Sequence, residues 1–164
     1  MNLDKLRSQL IRHEGLRLQK YQDSVGVWSI GVGRNLIDEP FITPDGMKLF
    51  PWADATQPYG IPLGGLTKTQ AMDVLDEDIA DTLAFLNSQC PWWQGLNEVR
   101  QRAVVDLAFN LMRKLLGFHN MIAAIRAKDW RLASKELLNS KFAKQTGQRA
   151  KTLSAMLLTG TDAS

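Results

Sequence analysis

Residues 13–36 read HEGLRLQKYQDSVGVWSIGVGRNL, and this stretch carries two acidic side chains at places where regular structure stops. Glu14 stands where a helical pattern ends, and Gly15 follows it directly as a helix stop. Asp23 comes nine residues later, at the entry to a turn. Residues 27–33, VWSIGVG, then alternate with the period of two that is typical of a strand. The stretch therefore predicts two carboxylates from different elements beside one short hairpin.

The two carboxylates are expected in unlike environments. Glu14 would lie at the C-terminal end of a helix, where the helix dipole disfavours a second negative charge and so favours the protonated acid. Asp23 leads into the polar turn 24–26, which should keep it hydrated and ionised. One carboxyl that keeps its proton and one that loses it are the pair that glycoside hydrolysis uses. The alternative is that Glu14 is a solvated helix-end residue and Asp23 only a turn former.

Three linked motifs favour the catalytic interpretation. They are Glu14-Gly15-Leu16-Arg17-Leu18, Tyr21-Gln22-Asp23 and Ser29-Ile30-Gly31-Val32-Gly33. Together they resemble the signature of the phage-type lysozymes, the endolysin muramidases of glycoside hydrolase family 24 that include the T-even phage lysozymes. The resemblance covers residues 10–36 most closely and residues 97–161 more loosely.

The resemblance implies roles for individual residues. Glu14 would be the general acid, Asp23 the base or electrostatic partner, and Ser29 the residue beside the attacking water. The substrate-binding or supporting residues that it implies are Gly33, Arg34, Asn35, Phe109, Asn110 and Arg149. Arg149 is implied to reach back toward Glu14. Arg34 departs from the family, which often has His at this position, so a side chain that titrates near neutral pH is absent there.

The expected fold class is α+β, mostly helical and lysozyme-like. The chain would form a single domain over residues 1–164, with a small hairpin-containing lobe and a larger helical lobe flanking a cleft. The small lobe would span about residues 13–66, and the helical lobe residues 67–164 together with an N-terminal helix over residues 2–12.

Capping residues predict where the helices begin. Asn2 would cap the first helix, Thr67 and Gln70 form a capping box for a helix of about 20 residues, and Asn97 and Asp129 cap two more. The long second helix would bridge the two lobes. Its acidic residues would form a solvated face rather than a metal site; they are Asp73, Asp76, Glu77, Asp78 and Asp81. The helix that follows Asn97 is strongly apolar and should be central and buried.

Residues 37–65 hold five of the six prolines and show no helical or strand period. They predict a long ordered loop with one short turn of helix or a small strand pair. Its aromatic side chains, Phe41, Phe50, Trp52 and Tyr59, would line a sugar cleft or instead fix the loop to the body of the protein.

Composition limits the other classes of function. The net charge of +3 suits an anionic partner such as the cell wall, but the basic residues are scattered and match no nucleic-acid motif. The single cysteine, Cys90, excludes an internal disulfide and is expected to be a packed residue. His119 has no partner at metal-ligand spacing, so no metal and no cofactor is expected. The N-terminus has no long apolar run, which predicts neither a signal peptide nor a membrane anchor and a chain made in the cytoplasm. The resemblance implies a monomer in the host cytoplasm that acts on periplasmic peptidoglycan after release, by a holin by analogy.

Three functions compete for this sequence. The first is a muramidase that cleaves the β-1,4 bond between N-acetylmuramic acid and N-acetylglucosamine with inversion, which requires carboxyl groups roughly 6.5–9.5 Å apart. The second is a lytic transglycosylase, which needs the acid but no water-directing carboxylate, so Asp23 argues against it. The third is a wall-binding module without chemistry.

Overall fold

The computed structural model describes residues 1–23, 25–36, 41–42, 48–49 and 65–162. Helices dominate these residues and a small antiparallel sheet accompanies them, so the predicted α+β, mostly helical class is confirmed. The chain divides into two compact units. We call Arg7–Asp78 the sheet unit, and Met1–Leu6 together with Ile79–Ser164 the helical unit.

The first helix, α1 (Leu3–Glu14), begins and ends where the sequence predicts. The side-chain oxygen of Asn2 accepts the backbone N–H of Lys5 at 2.9 Å and so caps the helix. Leu6 and Leu10 are fully buried, whereas Leu3 in the first turn is 42% exposed. Gly15, at φ +77°, then takes the left-handed conformation that ends the helix directly after Glu14.

Three strands form the sheet in the order of the chain: β1 (Arg17–Gln22), β2 (Trp28–Gly31) and β3 (Arg34–Asn35). Both neighbouring pairs are antiparallel. The strand that the sequence predicts over residues 27–33 is shorter in the structure, because β2 ends at Gly31. Gly31 (φ +65°) and Gly33 (φ +73°) adopt positive φ values that interrupt an extended chain and turn it into β3.

The core of the sheet unit forms where the sheet meets the start of the next helix. Trp28 and Leu16 are partly buried and pack against it, and Ile30 faces inward. Its fully packed members are Ile30, Leu36, Leu66, Ala71 and Val74. Each large apolar side chain buried in this way contributes about 1.5–3 kcal/mol before its ordering cost.

The chain returns to β1 at Gly65 and Leu66. The backbone N–H of Leu66 donates to the carbonyl oxygen of Leu18 at 2.6 Å. Gly65 lies so close that a Cβ on it would collide with that carbonyl oxygen. A glycine is therefore required here, since both the space and its φ of +69° exclude a side chain.

The long helix α2 (Lys68–Gln89) has the predicted capping box. The backbone N–H of Thr67 donates to the Gln70 side chain at 2.8 Å, and the N–H of Gln70 donates to the Thr67 hydroxyl at 3.1 Å. The boundary between the two units falls inside α2, after Asp78. The prediction that its acidic residues form a solvated face is wrong for Asp78, which is 9% exposed.

The helical unit continues with five helices and two short 3-10 helices. These are a 3-10 helix over Pro91–Gly95, α3 (Glu98–Leu111), a 3-10 helix over Met112–Gly117, α4 (His119–Arg126), α5 (Trp130–Leu138), α6 (Lys141–Thr146) and α7 (Gln148–Thr159). The predicted caps are confirmed, because Asn97 accepts the N–H of Arg100 and Asp129 that of Leu132, both at 3.0 Å. Cys90 is buried, as predicted, and burial raises the pKa of its thiol.

The middle of α3 is buried as predicted, but it also buries two charged residues that the apolar pattern conceals. Arg102 is 3% exposed and Asp106 is fully buried. Arg102 donates to Glu98 at 2.8 Å and also pairs with Asp162. Lys5 binds the same Asp162 carboxylate at 3.0 Å, so both ends of the helical unit meet at Arg102.

Residues 41–42 and 48–49 form two short antiparallel strands, β4 (Phe41–Ile42) and β5 (Lys48–Leu49). The small strand pair predicted within residues 37–65 is therefore confirmed. Phe50, Trp52 and Tyr59, with their predicted place in a sugar cleft, lie outside the described residues. No helix in the described ranges has both the length and the apolar character that crossing a membrane requires.

The ion pairs at Arg102 predict an acid-sensitive contribution to stability. Hydrogen bonds from Arg102 lower the pKa values of Glu98 and Asp162, and one from Lys5 further lowers that of Asp162. A carboxyl with a lowered pKa stabilises the fold above its unfolded value of about 4, and this contribution is lost as pH falls through the folded value. Asp162→Asn should therefore lower the free energy of unfolding at pH 7 but not at pH 3.

The expected loss at pH 7 is below about 1 kcal/mol, because solvent screens the half-exposed Asp162 carboxylate. The measurement is urea unfolding of both proteins from pH 3 to pH 7. Asp73→Asn, at an exposed residue of α2, is the matched control and should unfold like wild type throughout. A constant difference between Asp162→Asn and wild type at every pH would contradict the ion-pair explanation.

Candidate active site

Glu14 lies at the junction of α1 and the sheet, as the sequence predicts. It is the last residue of α1, and β1 begins three residues later. Its half-buried side chain packs against the turn between β2 and β3, where a Cβ added to Gly33 would lie 3.1 Å from Oε2 of Glu14. Gly33 therefore supports Glu14 by having no side chain, and the Glu14 carboxyl occupies the space that a side chain would need.

Asp23 ends β1 and is held by the backbone of its own turn. Its Oδ1 accepts the N–H groups of Val25 and Val27, both at 2.9 Å. The backbone N–H of Asp23 in turn donates to the carbonyl of Val27 at 2.9 Å. The residue is exposed, and within the described residues Oδ2 accepts no hydrogen bond. One oxygen thus fixes the carboxylate and the other is available to solvent.

Ser29 and Tyr21 face each other across β1 and β2. The two residues are paired in the register of the sheet, and their hydroxyl groups share a hydrogen bond. Ser29 is 5% exposed and therefore buried within the sheet unit.

Tyr21 connects the candidate catalytic residues electrostatically. The pKa of its hydroxyl is raised, chiefly by burial and also by the negative charges of Glu14 and Asp23. The positive charge of Arg17 and the hydrogen bond with Ser29 act in the opposite direction and lower this pKa. The negative charges of both carboxylates therefore raise the pKa of the same phenol, which is paired with Ser29 across the sheet.

The sequence signature includes Tyr21 but does not predict it as a site residue. The signal that could have found it is spacing. Tyr21 comes two residues before Asp23 on a strand, and antiparallel pairing across a hairpin places it opposite Ser29.

Arg34 makes a buried ion pair inside the sheet unit. Its Nη2 lies 2.6 Å from Oδ1 of Asp78, and its Nε donates to the same carboxylate at 3.1 Å. The two side chains are 7% and 9% exposed. The exposed Glu77 accepts a further hydrogen bond from Nη2 at 3.2 Å. Arg34 thus supports the fold by joining β3 to α2, and its predicted contact with substrate stays a prediction.

The remaining predicted residues fall into two groups. Asn35 lies in β3 of the sheet unit, paired with Ser29 in the register. Phe109 and Asn110 lie in the last turn of α3, where Phe109 is half-buried and Asn110 exposed. They and Arg149 belong to the helical unit. A single site that combines both groups stays a prediction.

Arg149 is held by a buried carboxylate that the sequence does not single out. Its Nη2 lies 2.8 Å from Oδ1 of Asp106, and Nη2 also donates to the Asp106 carbonyl at 3.3 Å. Asp106 is fully buried and Arg149 is 7% exposed. The pair joins α3 to α7, and the predicted approach of Arg149 to Glu14 stays a prediction.

In the described part of the chain, no group of three or more His, Cys, Asp or Glu side chains is arranged to hold a metal ion. The chemistry available around Tyr21 is that of carboxyls and hydroxyls. A half-buried carboxyl and an exposed carboxylate fixed by two backbone N–H groups can act as an acid and a base on the same substrate.

The chain is similar to several known proteins. A family model described as phage lysozyme matches residues 11–156. The pre-baseplate central spike protein Gp5 of Enterobacteria phage T4 is 31% identical over 160 residues, which are 94% of this chain but 28% of that protein. An endolysin of Acyrthosiphon pisum secondary endosymbiont phage 1 is 27% identical, over 84% of this chain and 78% of the endolysin. A probable T4-type lysozyme 1 of Dictyostelium discoideum is 22% identical, over 97% and 96% of the two chains.

The Arg34–Asp78 pair predicts how stability responds to pH when the cation is changed. Arg34 stays charged across the accessible pH range, so the wild-type pair does not weaken on the alkaline side. Arg34→His introduces an imidazole whose pKa the Asp78 carboxylate should raise above its ordinary value of about 6.5. The contribution of the pair would then be complete below pH ~6.5 and lost as pH rises through the raised value.

The measurement is the free energy of unfolding of Arg34→His and wild type between pH 5.5 and pH 9. The free energy of unfolding of Arg34→His should be close to that of wild type at pH 5.5 and lower than that of wild type above neutral pH. Arg34→Gln is the control, since it removes the positive charge beside Asp78 at every pH and should lose about 3–5 kcal/mol throughout. Parallel curves for Arg34→His and wild type would contradict the assignment.

Proposed function

Because this chain belongs to the phage lysozyme family, whose model matches residues 11–156, we propose that it hydrolyses the glycan strands of peptidoglycan. The bond cleaved is the β-1,4 bond between N-acetylmuramic acid and N-acetylglucosamine. The observation that supports the proposal is the packing of Glu14 against Gly33, in the turn that follows the strand whose Ser29 is paired with Tyr21.

In the proposed reaction Glu14 is the general acid. Its carboxyl donates a proton to the glycosidic oxygen as the bond between that oxygen and the anomeric carbon breaks. The contact with Gly33 supports this role, because it holds the half-buried carboxyl in one place. The leaving sugar departs as an alcohol.

Asp23 is the base in the same reaction. Its Oδ1 is fixed by two backbone N–H groups, and the exposed carboxylate can accept a proton from a water molecule through its other oxygen. Ser29 helps to orient that water. The water oxygen attacks the anomeric carbon from the face opposite the leaving group, which inverts the configuration.

The proposed cellular role is that of an endolysin. The chain would be made in the host cytoplasm and would act on periplasmic peptidoglycan after release, and the relative named endolysin supports this. The similarity to the T4 central spike protein favours a second candidate, in which the same chemistry belongs to a module of a larger particle protein. Mass spectrometry distinguishes the two, because only a module of a particle protein would copurify with intact phage particles.

The first test is Glu14→Gln, measured as clearing of permeabilised Gram-negative cells and as release of muropeptides from purified murein. Loss of the proton donor should reduce the rate by about 10²–10⁴-fold while circular dichroism and the melting temperature stay near wild type. Glu136→Gln, at a half-buried residue of α5 in the helical unit, is the matched control and should retain full activity. Full activity of Glu14→Gln would overturn the assignment of the acid.

Product analysis in the same experiment separates the competing chemistries. Inverting hydrolysis of a β bond yields a new reducing end that is first formed as the α-anomer. A lytic transglycosylase would instead yield 1,6-anhydro-muramic acid ends. Binding to murein without any release of muropeptides would favour a wall-binding module.

The second test concerns the space that Gly33 leaves for Glu14. A Cβ in Gly33→Ala would lie 3.1 Å from Oε2 and 3.3 Å from Cδ of Glu14, so the carboxyl must move by a few tenths of an ångström. The positive φ adds a strain of about 1 kcal/mol. We expect kcat to fall by about tenfold or more, because acid catalysis depends on the position of the donor.

Gly147→Ala is the matched control for backbone strain. Gly147 also has a positive φ, 52°, but a Cβ on it would meet nothing within 4 Å. It should lower the melting temperature in the same way as Gly33→Ala and leave kcat unchanged. Equal kcat values for Gly33→Ala and wild type would show that the contact with Glu14 does not matter for the reaction.

A further inference from the structure

We propose that Tyr21 is a positioning residue of this site, whose hydroxyl holds the Ser29 hydroxyl in the orientation that directs the attacking water. The inference rests on the proposed hydrolytic function and adds to it a residue that does not itself contact the reacting atoms. Three features of the sheet unit carry it: the pairing of β1 with β2, the burial of Ser29 and the fixed position of the Tyr21 ring.

The hydrogen bond between the two hydroxyls is set by the sheet. Tyr21 and Ser29 are directly opposite in the antiparallel register, so their side chains lie on the same face. A serine hydroxyl has one proton and two acceptor positions and otherwise rotates among three staggered orientations. A bond to Tyr21 selects one orientation and leaves the Ser29 oxygen at least one acceptor position for a water proton.

The ring that provides this hydroxyl is itself fixed. The guanidinium carbon of Arg17 lies 4.6 Å from the centroid of the Tyr21 ring, at cation–π distance. Arg17 and Tyr21 are both in β1, and the register shifts between them. The ring is therefore contacted by Arg17 at its face and by Ser29 at its hydroxyl.

The Tyr21 hydroxyl keeps its proton over the whole range in which the carboxylates work. Burial raises its pKa above the ordinary value of 10.0, and the charges of Glu14 and Asp23 add to this against the opposing effects of Arg17 and Ser29. Tyr21 therefore acts as a neutral hydroxyl at neutral pH. The role of the Tyr21 hydroxyl is to orient Ser29. Removing this hydroxyl should therefore lower the maximal rate without changing the pH values at which the rate rises and falls.

The test is a double-mutant cycle of Tyr21→Phe, Ser29→Ala and the combined variant, with kcat and KM measured on purified murein fragments. Tyr21→Phe keeps the ring over Arg17 and removes only the hydroxyl. It should lower kcat by about tenfold with KM within about twofold. The combined variant should be no slower than Ser29→Ala alone, because the hydroxyl has nothing left to orient.

Ser29→Thr provides the complementary arm, because it keeps a hydroxyl at the same position. In that background Tyr21→Phe should again cost about tenfold in kcat, whereas in the Ser29→Ala background it should cost nothing. This arm also decides the question if Ser29→Ala proves too unstable to purify.

A second buried hydroxyl pair serves as the structural control. The side chains of Ser134 and Ser154 lie 2.6 Å apart in the helical unit. Ser134→Ala should lower the melting temperature and leave kcat unchanged. Tyr21→Phe should do the opposite, with a large loss of kcat and a small change in melting temperature.

Failure of the inference and failure of the proposed function are distinguishable. If wild type releases no muropeptides from murein, the hydrolytic function itself is wrong. If wild type is active, the positioning role is overturned by a Tyr21→Phe kcat equal to that of wild type. Additive losses in the double-mutant cycle, or a kcat loss that merely follows a fall in melting temperature, also overturn it.

Discussion

The buried ion pair between Arg34 and Asp78 is the interaction on which the arrangement of the sheet unit depends. It joins β3 to α2 with two nearly dehydrated charges, and each would be costly without the other. The turn that precedes Arg34 contains Gly33, and Glu14 packs against that glycine. The position of Glu14 thus depends on the turn at Gly33, and the ion pair between Arg34 and Asp78 holds the residue that follows this turn.

The helical unit uses the same principle at two other arginines. Arg149 pairs with the fully buried Asp106, and Arg102 pairs with Glu98 and Asp162. In each case a planar guanidinium meets a carboxylate with the geometry that suits two or more hydrogen bonds. The Arg149–Asp106 pair specifies that α3 meets α7, because a shifted helix would separate the two buried charges.

Two kinds of support hold the two carboxyls of the candidate site. Asp23 is held by backbone N–H groups of its own turn, which is a local arrangement within five residues of sequence. Glu14 is held by the end of α1 and by the turn after β2, which are far apart in sequence. Between them, Tyr21 provides a neutral hydroxyl that both carboxylates influence. The site therefore combines an exposed, locally fixed carboxylate with a half-buried one fixed by tertiary packing.

The sequence by itself determined the features that depend on near neighbours: the caps at Asn2, Thr67, Asn97 and Asp129, the end of α1 at Gly15 and the α+β class. It also predicted catalytic roles for Glu14, Asp23 and Ser29 through a family signature. Only the tertiary structure decided that Asp78 and Asp106 are buried, that Ser29 is buried, and that Tyr21 pairs with Ser29 across the sheet. Helical periodicity treats a charged residue as solvent-facing, because the arginine that neutralises it lies about 43 or 44 residues away. A charged side chain can be buried only where a side chain of opposite charge lies beside it. Whether such a partner is close depends on the packing of the whole unit.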